Sequence, residues 1–227
     1  MIGREAGKSY AYLLGVYLGD GCVTHHTSGK LVFKLNTIDE DFALATKAAI
    51  ENLGGKTGLY KYEVSKSSKP NHALVCSDQD LCLRLRADTS NKTKLPLLEG
   101  EQAKQMIVGL MDSEGFVAEK TEHKTGRAYY MGFKSCDVWV PDFVKLLQSI
   151  GIRLGKVSEC PPYRAHYKTP TRFHIKMQSW VDSGMRFNIK RKQDRVDRWA
   201  RTVPYTERKV FPRRLTSETS TPEARKG

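Results

Sequence analysis

The sequence predicts an α+β protein built from two αββαββα halves in tandem, and three observations lead there. A nine-residue pattern occurs twice in register, at residues 13–21 and 107–115. Each copy reads as an apolar helix with small residues four apart, Gly15 and Gly19 in the first and Gly109 and Ser113 in the second. After each copy the same order of strand and helix signals follows.

Small residues four apart share one helical face, where missing side chains let another backbone come close. Glycine inside a helix costs about 1 kcal/mol relative to alanine, so two in one short helix call for a packing reason. The simplest partner for the first seam is the second, which sets Gly15 against Gly109. Gly21 and Gly115 fit the position just past a helix end, where a left-handed residue is wanted. Asp20 and Glu114 then stand at helix C-termini, the end where the macrodipole is already negative. Packing the helices side by side brings the two carboxylates together and adds like-charge repulsion. A hard divalent cation with oxygen ligands would relieve it.

Taken in order, Ser9 is the expected N-cap of the first motif helix. A hairpin follows across Ser28-Gly29, its second strand alternating Leu31, Phe33 and Leu35 with Lys30, Val32, Lys34 and Asn36. Thr37-Ile38-Asp39-Glu40 reads as a capping box for a helix with Phe42, Ala45, Ala49, Ile50 and Leu53 on its apolar stripe, closed by Gly54. Strands are expected at residues 57–65 and 72–77, then a helix at 78–86. Residues 87–100, polar and then proline-containing, connect the halves.

The second half repeats this order. Its motif helix spans residues 101–114, its strands 116–122 and 127–135, and its next helix 138–150, with Pro141 in the first turn, where proline is tolerated. Strands at 154–160 and 171–178 follow, and Ser179 is the expected cap of a last helix reaching 189. The division is therefore 1–98, 99–200 and a basic tail at 201–227. Residues 186–214 carry eleven Lys or Arg against three acids, with Trp199 and Phe211 interleaved, and are expected to touch phosphate.

A net charge of +13 over 227 residues points to a polyanionic partner, with nucleic acid first. Five scattered cysteines without a C-x-x-C argue against a disulfide framework or a zinc site. With no apolar run of membrane length and no signal peptide, an intracellular protein, cytoplasmic or organellar, is expected. One face of each sheet is oily. The other would carry Lys30, Lys34 and Asn36 from the first half, and Lys134, Arg172, His174, Lys176 and Gln178 from the second. Such a ribbon fits the major groove of DNA, where these side chains can read base edges.

The repeated pattern resembles the paired motifs of the LAGLIDADG homing endonucleases in their single-chain form. Gly15, Asp20 and Gly21 match it, as do Gly109, Asp112, Glu114 and Gly115; Leu18 departs where an acid is usual. The resemblance runs from about residue 9 to residue 195. It implies a monomer whose two halves form a saddle over duplex DNA, with the motif helices at its centre. It also implies Mg²⁺-dependent cleavage of a long asymmetric site. Asp20 and Glu114 would hold the ions, helped by the carbonyls of Gly19 and Ser113; Mn²⁺ would substitute, and Ca²⁺ would support binding without cutting. By position Thr37, Ser135, Gln79, Gln178 and Lys176 are candidates to flank the ions, and Asp112, whose counterpart is Leu18, is expected to be structural. The same scaffold also serves intron RNA maturases and DNA-binding regulators that do not cut. Intact acids in both copies favour the endonuclease.

Overall fold

The computed structural model describes residues 4–63, 69–122, 126–135, 137–159 and 171–202. The first half runs α1 (Arg4–Leu18), β1 (Cys22–His25), β2 (Leu31–Thr37), α2 (Glu40–Glu51), β3 (Thr57–Tyr62), β4 (Asn71–Cys76) and α3 (Gln79–Asp88). The second runs α4 (Gly100–Ser113), β5 (Gly115–Glu122), β6 (Gly126–Ser135), α5 (Val140–Ser149), β7 (Leu154–Glu159), β8 (Thr171–Ile175) and α6 (Met177–Asp182). A further helix, α7 (Lys190–Thr202), follows.

Each half folds its strands into an antiparallel four-stranded sheet, ordered β1-β2-β4-β3 in one and β5-β6-β8-β7 in the other. The period-two alternation puts Leu31, Phe33, Leu35, Leu74 and Cys76 on one face of the first sheet, buried with Phe42, Ile50, Leu81 and Leu85 of its helices. In the second half Phe133 packs on Phe143 with ring centroids 4.9 Å apart, and stacks on Phe173 at 5.5 Å. Between the sheets, α1 and α4 make the most extensive helix–helix contact among the described residues. The architecture is the expected α+β duplication.

Several local expectations give way. Helix α1 starts before Ser9, whose hydroxyl lies within the helix, 3.3 Å from the Asn52 amide nitrogen. The cap of α2 is Asp39, not Thr37. Its carboxylate makes no capping bond, and Thr37 Oγ1 instead accepts from the Asp39 amide at 3.1 Å. Gly54 and Gly151 do close α2 and α5 in the left-handed region, at φ 83° and 86°. Gly21 and Gly115 have no such φ; they are glycines because of crowding. A Cβ at Gly21 would stand 2.9 Å from the Phe33 ring, and one at Gly115 2.9 Å from Met111 Cα. Strand β8 stops at Ile175, so Lys176 and Gln178 belong to the start of α6 instead of to the sheet.

The basic stretch after residue 186 is the largest departure. Its described part, residues 186–202, ends in helix α7 and is spent on the protein itself. Arg191 grips Asp39 through two bonds of 2.6 and 2.7 Å, Lys190 N donates to Asp41, and Arg198 pairs with Glu119 at 3.2 Å. Residues 203–227, including Phe211, lie outside the described residues. Of the cysteines, Cys22, Cys76 and Cys82 are free thiols, while Cys136 and Cys160 also lie outside. No helix among the described residues is long and apolar enough to cross a membrane.

Candidate active site at the ends of the paired helices

The seam between α1 and α4 is nearly bare backbone. A Cβ at Gly15 would stand 2.7 Å from Leu110 N and 3.0 Å from Gly109 Cα, and closer still to the Met106 carbonyl. One at Gly109 would meet the Tyr12 carbonyl and lie 3.0 Å from Val16 N. One turn on, a Cβ at Gly19 would sit 2.8 Å from Ser113 Oγ and 3.4 Å from Glu114 Cγ. The helices thus stay in contact to their last turn, and deliver Asp20 and Glu114 side by side.

Glu114 is the C-cap of α4 and half-buried, its amide donating to Leu110 O at 2.9 Å. Burial, and after it the charges of Asp20 and Asp137, push its carboxyl up to about 7. Asp20 is more open, yet desolvation still raises its pKa, against the pull of Lys192 and Lys92. Two carboxyls both raised in pKa, at the negative ends of two helices, form a site that wants a cation.

Two lysines answer part of that demand, and the sequence reading had singled out neither. Lys92 Nζ donates to the Gly19 carbonyl at 2.7 Å, at the end of α1. Lys192 Nζ donates to the Met111 and Asp112 carbonyls at 2.8 and 2.5 Å, at the end of α4. Each ammonium therefore caps one motif helix. Burial lowers both pKa values, that of Lys192 to about 8. Lys92 is aimed by a turn in which Ser90, Asn91 and Lys92 have φ of 46°, 54° and 69°. Three consecutive non-glycine residues in the left-handed region are locally strained. Thr89 Oγ1 accepts the Lys92 amide at 3.1 Å, and Tyr17 donates to Asn91 at 3.2 Å, which hold the turn.

Lys192 is aimed by the N-terminus of α7, and Asp112 holds that end in place. This carboxylate, 1% exposed, accepts from Tyr12 OH at 3.1 Å, Asn188 N at 3.2 Å, Asn188 Nδ2 at 3.0 Å and Ile189 N at 3.4 Å. Leu18, its counterpart in the first motif, is buried in the core and anchors nothing comparable. Thr37 and Ser135, both candidates from the sequence, belong to a second repeated feature whose aspartates the sequence reading left out. They end the second hairpin strand of each half, and in both the hydroxyl accepts the amide of the aspartate two residues on, Asp39 and Asp137. Asp39 raises the pKa of Asp20, and Asp137 that of Glu114.

This geometry can be set beside known proteins. Residues 8–87 match the family of LAGLIDADG-like domains. That match spans the first half and contains the first of the two motifs. No curated protein sequence matches it. Among solved structures, mesophilic variants of the homing endonuclease I-DmoI share the fold with a TM-score of 0.54 at 15% identity, over 79% of this chain and 94% of theirs. The homing endonuclease I-WcaI bound to its DNA recognition sequence gives 0.55 at 8% identity, over 82% of this chain and 86% of its own. Full-length DUF199/WhiA from Thermatoga maritima gives 0.54 at 14% identity, over 93% of this chain and 63% of its own.

The other candidates fall in different places. Gln79 clamps the first hairpin: its amide donates to Leu31 O at 2.6 Å and its oxygen accepts from Leu31 N at 2.9 Å. Gln178 donates to Asp182 within α6 at 2.6 Å. Lys176 is exposed at the start of α6, and the cations that bear on Asp20 and Glu114 are Lys92 and Lys192 instead. Lys34 and Asn36 lie on the face of β2 away from the helices, as Lys134, Arg172 and His174 do in the second sheet; Lys30 precedes β2 in the turn.

Among the described residues no cluster of three or more His, Cys, Asp or Glu could enclose a metal ion. The donor set at the helix ends is two carboxylates and backbone carbonyls, all hard oxygens. It suits Mg²⁺, which uses one or two carboxylates and keeps water and substrate phosphate as its other ligands. The residues present fit such an ion.

Proposed function

We propose that the chain is a divalent-metal-dependent, site-specific endonuclease of duplex DNA, with Mg²⁺ as the working ion and a long asymmetric target. The observation that carries this reading is the pairing of Asp20 and Glu114 at the ends of α1 and α4. Both carboxyls are raised in pKa, and both are flanked by Lys92 and Lys192. Asp20 and Glu114 would hold the ions; the Gly19 carbonyl would join them only after releasing Lys92. A bound divalent ion supplies Lewis-acid polarisation of the phosphate and a more acidic water.

The chain's own residues do the rest. The Gly15–Gly109 seam fixes the distance between the two carboxylates. Lys92 and Lys192, held at the helix ends by backbone carbonyls, offer positive charge to a phosphate arriving above them, where charge develops during hydrolysis. With its pKa lowered to about 8, Lys192 can also give up or take a proton near neutral pH. The fold shared with homing endonucleases supports the reading, and one chain holding two different halves supports an asymmetric site.

One observation favours a second reading, a DNA-binding regulator that does not cut. The two ammonium groups already offset part of the charge of the two carboxylates, so the site can stand without an ion. The test separates binding from cutting. A pool of randomised duplexes is selected for binding in Ca²⁺, then challenged with Mg²⁺. Asp20→Asn and Glu114→Gln should bind the selected duplexes as the parent does and fail to cut them. Cutting by both variants would overturn the site, and tight binding without cutting by the parent would establish the regulator.

A further inference from the structure

We infer that Asp39 and Arg191 are positioning residues, an ion pair between the two halves that aims the Lys192 ammonium at the carbonyl end of α4. This rests on the endonuclease reading above and adds to it what holds one of its two cations in place.

The first turn of α7 faces both halves at once. Consecutive side chains leave a helix about 100° apart, so Arg191 and Lys192 diverge. Arg191 turns to the first half, where its Nε and Nη2 donate to the two carboxylate oxygens of Asp39 at 2.6 and 2.7 Å. Lys192, 3% exposed, turns to the second half, where Nζ donates to the Met111 and Asp112 carbonyls at 2.8 and 2.5 Å. A planar fork bound at two points fixes orientation as well as distance. An ammonium on a flexible four-carbon stem brings no orientation of its own, so its direction follows the backbone beneath it. Asp112 fixes where the turn begins, through Asn188 and Ile189; the fork on Asp39 fixes which way it faces.

Asp39 is shaped for this contact and not for its usual one. An aspartate at a helix N-cap ordinarily accepts an amide of the first turn. Asp39 holds that place in α2 and makes no such bond; its carboxylate goes instead to a residue 152 positions along the chain. Its backbone is pinned by its own amide, which donates to Thr37 Oγ1 at 3.1 Å. The side chain is 13% exposed. Burial alone would raise its pKa, yet the hydrogen bond and the charge of Arg191 hold it below the ordinary carboxylate range. The pair is thus largely shielded from water on the acid's side, where a two-point contact keeps more of its strength.

The other lysine is placed by different means. Tyr17, Thr89 and Asn91 hold the turn that carries Lys92, and Nζ meets the Gly19 carbonyl, all within the first half. The aspartate that follows the second hairpin strand is used differently too. Asp137 takes the Ser135 hydroxyl at 2.5 Å, where Asp39 takes a guanidinium. One cation of the site is therefore placed by its own half and the other across the boundary between the halves.

The experiment uses the full chain and has two readouts. The first is acylation of Lys192 by an amine-reactive ester without DNA, read by peptide mass spectrometry against the exposed Lys145. Lys192 of the parent should react slowly. Arg191→Met and Asp39→Asn should each raise its rate relative to Lys145 by about ten-fold or more, the worth of a hydrogen bond between charged groups. Arg198→Ala, which cuts the tie of α7 to Glu119, should leave it near the parent's. The second readout is single-turnover cleavage of duplexes selected in Ca²⁺. Arg191→Met should slow it at unchanged duplex affinity, and should slow it no further when Lys192 is already replaced by Met, whereas independent losses would multiply. Arg191→Lys, able to restore one contact to Asp39, should recover part of the rate. Unchanged Lys192 reactivity in Arg191→Met and Asp39→Asn, equal exposure of Lys192 by Arg198→Ala, or multiplying losses would overturn the inference. A parent that cuts no duplex would overturn the endonuclease reading, while acylation would still decide what holds Lys192.

Discussion

Alanine at Gly15 and alanine at Gly7 should have opposite effects, although both residues lie in α1. Replacing a helical glycine by alanine gains about 1 kcal/mol of helix propensity at either position. At Gly7 the new methyl would meet only the amide end of the Gln102 side chain, 2.6 Å away and free to swing aside. At Gly15 it would meet the backbone of α4, including Leu110 N at 2.7 Å and Gly109 Cα at 3.0 Å, none of which can rotate away. Relief requires the helices to separate, and overpacking of this kind costs about 1–3 kcal/mol, occasionally more. For a chain of this size each kcal/mol moves Tm by about 2–4 °C. Thermal unfolding followed by circular dichroism should place Gly7→Ala at or slightly above the parent and Gly15→Ala several degrees below it. Gly109→Ala should resemble Gly15→Ala, because its methyl meets the Tyr12 carbonyl and Val16 N. A Gly15→Ala protein as stable as Gly7→Ala would refute the close backbone approach, and with it the positioning of the two carboxylates.

Asp112→Asn places an NH₂ group in a pocket of donors, Tyr12 OH and the Asn188 amides, and should cost about 1–3 kcal/mol in urea unfolding; an unchanged midpoint would mean that Asp112 does not anchor α7. Lys192→Met removes the ammonium from the end of α4 while keeping an unbranched side chain, and should leave duplex affinity within a few-fold of the parent while slowing cleavage in a single-turnover assay. Equal rates would show that Lys192 only caps the helix. Lys134→Ala should reduce the slope of log affinity against log salt by about 1 if its ammonium also sits near a phosphate, whereas Arg198→Ala, whose charge is spent on Glu119, should change it much less.

The repeat at residues 13–21 and 107–115 carried most of the fold, because periodicity and small residues four apart are local properties of the chain. The same locality explains what escaped. Lys92 and Lys192 lie 72 and 78 residues after the motif acids they serve, in a polar turn and a basic helix that look like any solvated stretch. Nothing in the composition of residues 186–202 shows that Arg191 finds Asp39 or that Arg198 finds Glu119; charge counts cannot tell a cation spent internally from one free for a phosphate. Lys176 and Gln178 were drawn onto a strand because alternation of Phe173, Ile175 and Met177 continues past Ile175, although the chain turns into α6 there. The Thr-x-Asp and Ser-x-Asp pair was within reach, since each follows the second hairpin strand of its half.

Helix α7 makes the two halves unequal as building blocks. It leaves the second half, fastens to Asp39 and Asp41 at the start of α2 in the first, and carries Lys192 to the end of α4 on the way. A chimera that joins the second half to a foreign first half would need more than a matching helix seam; without acids at those two places the strap loses its far mooring. The first half could be exchanged freely only if its replacement kept them. Half-swapping in this chain is therefore directional, and the residues that decide whether a graft takes lie far in sequence from the junction where it is cut.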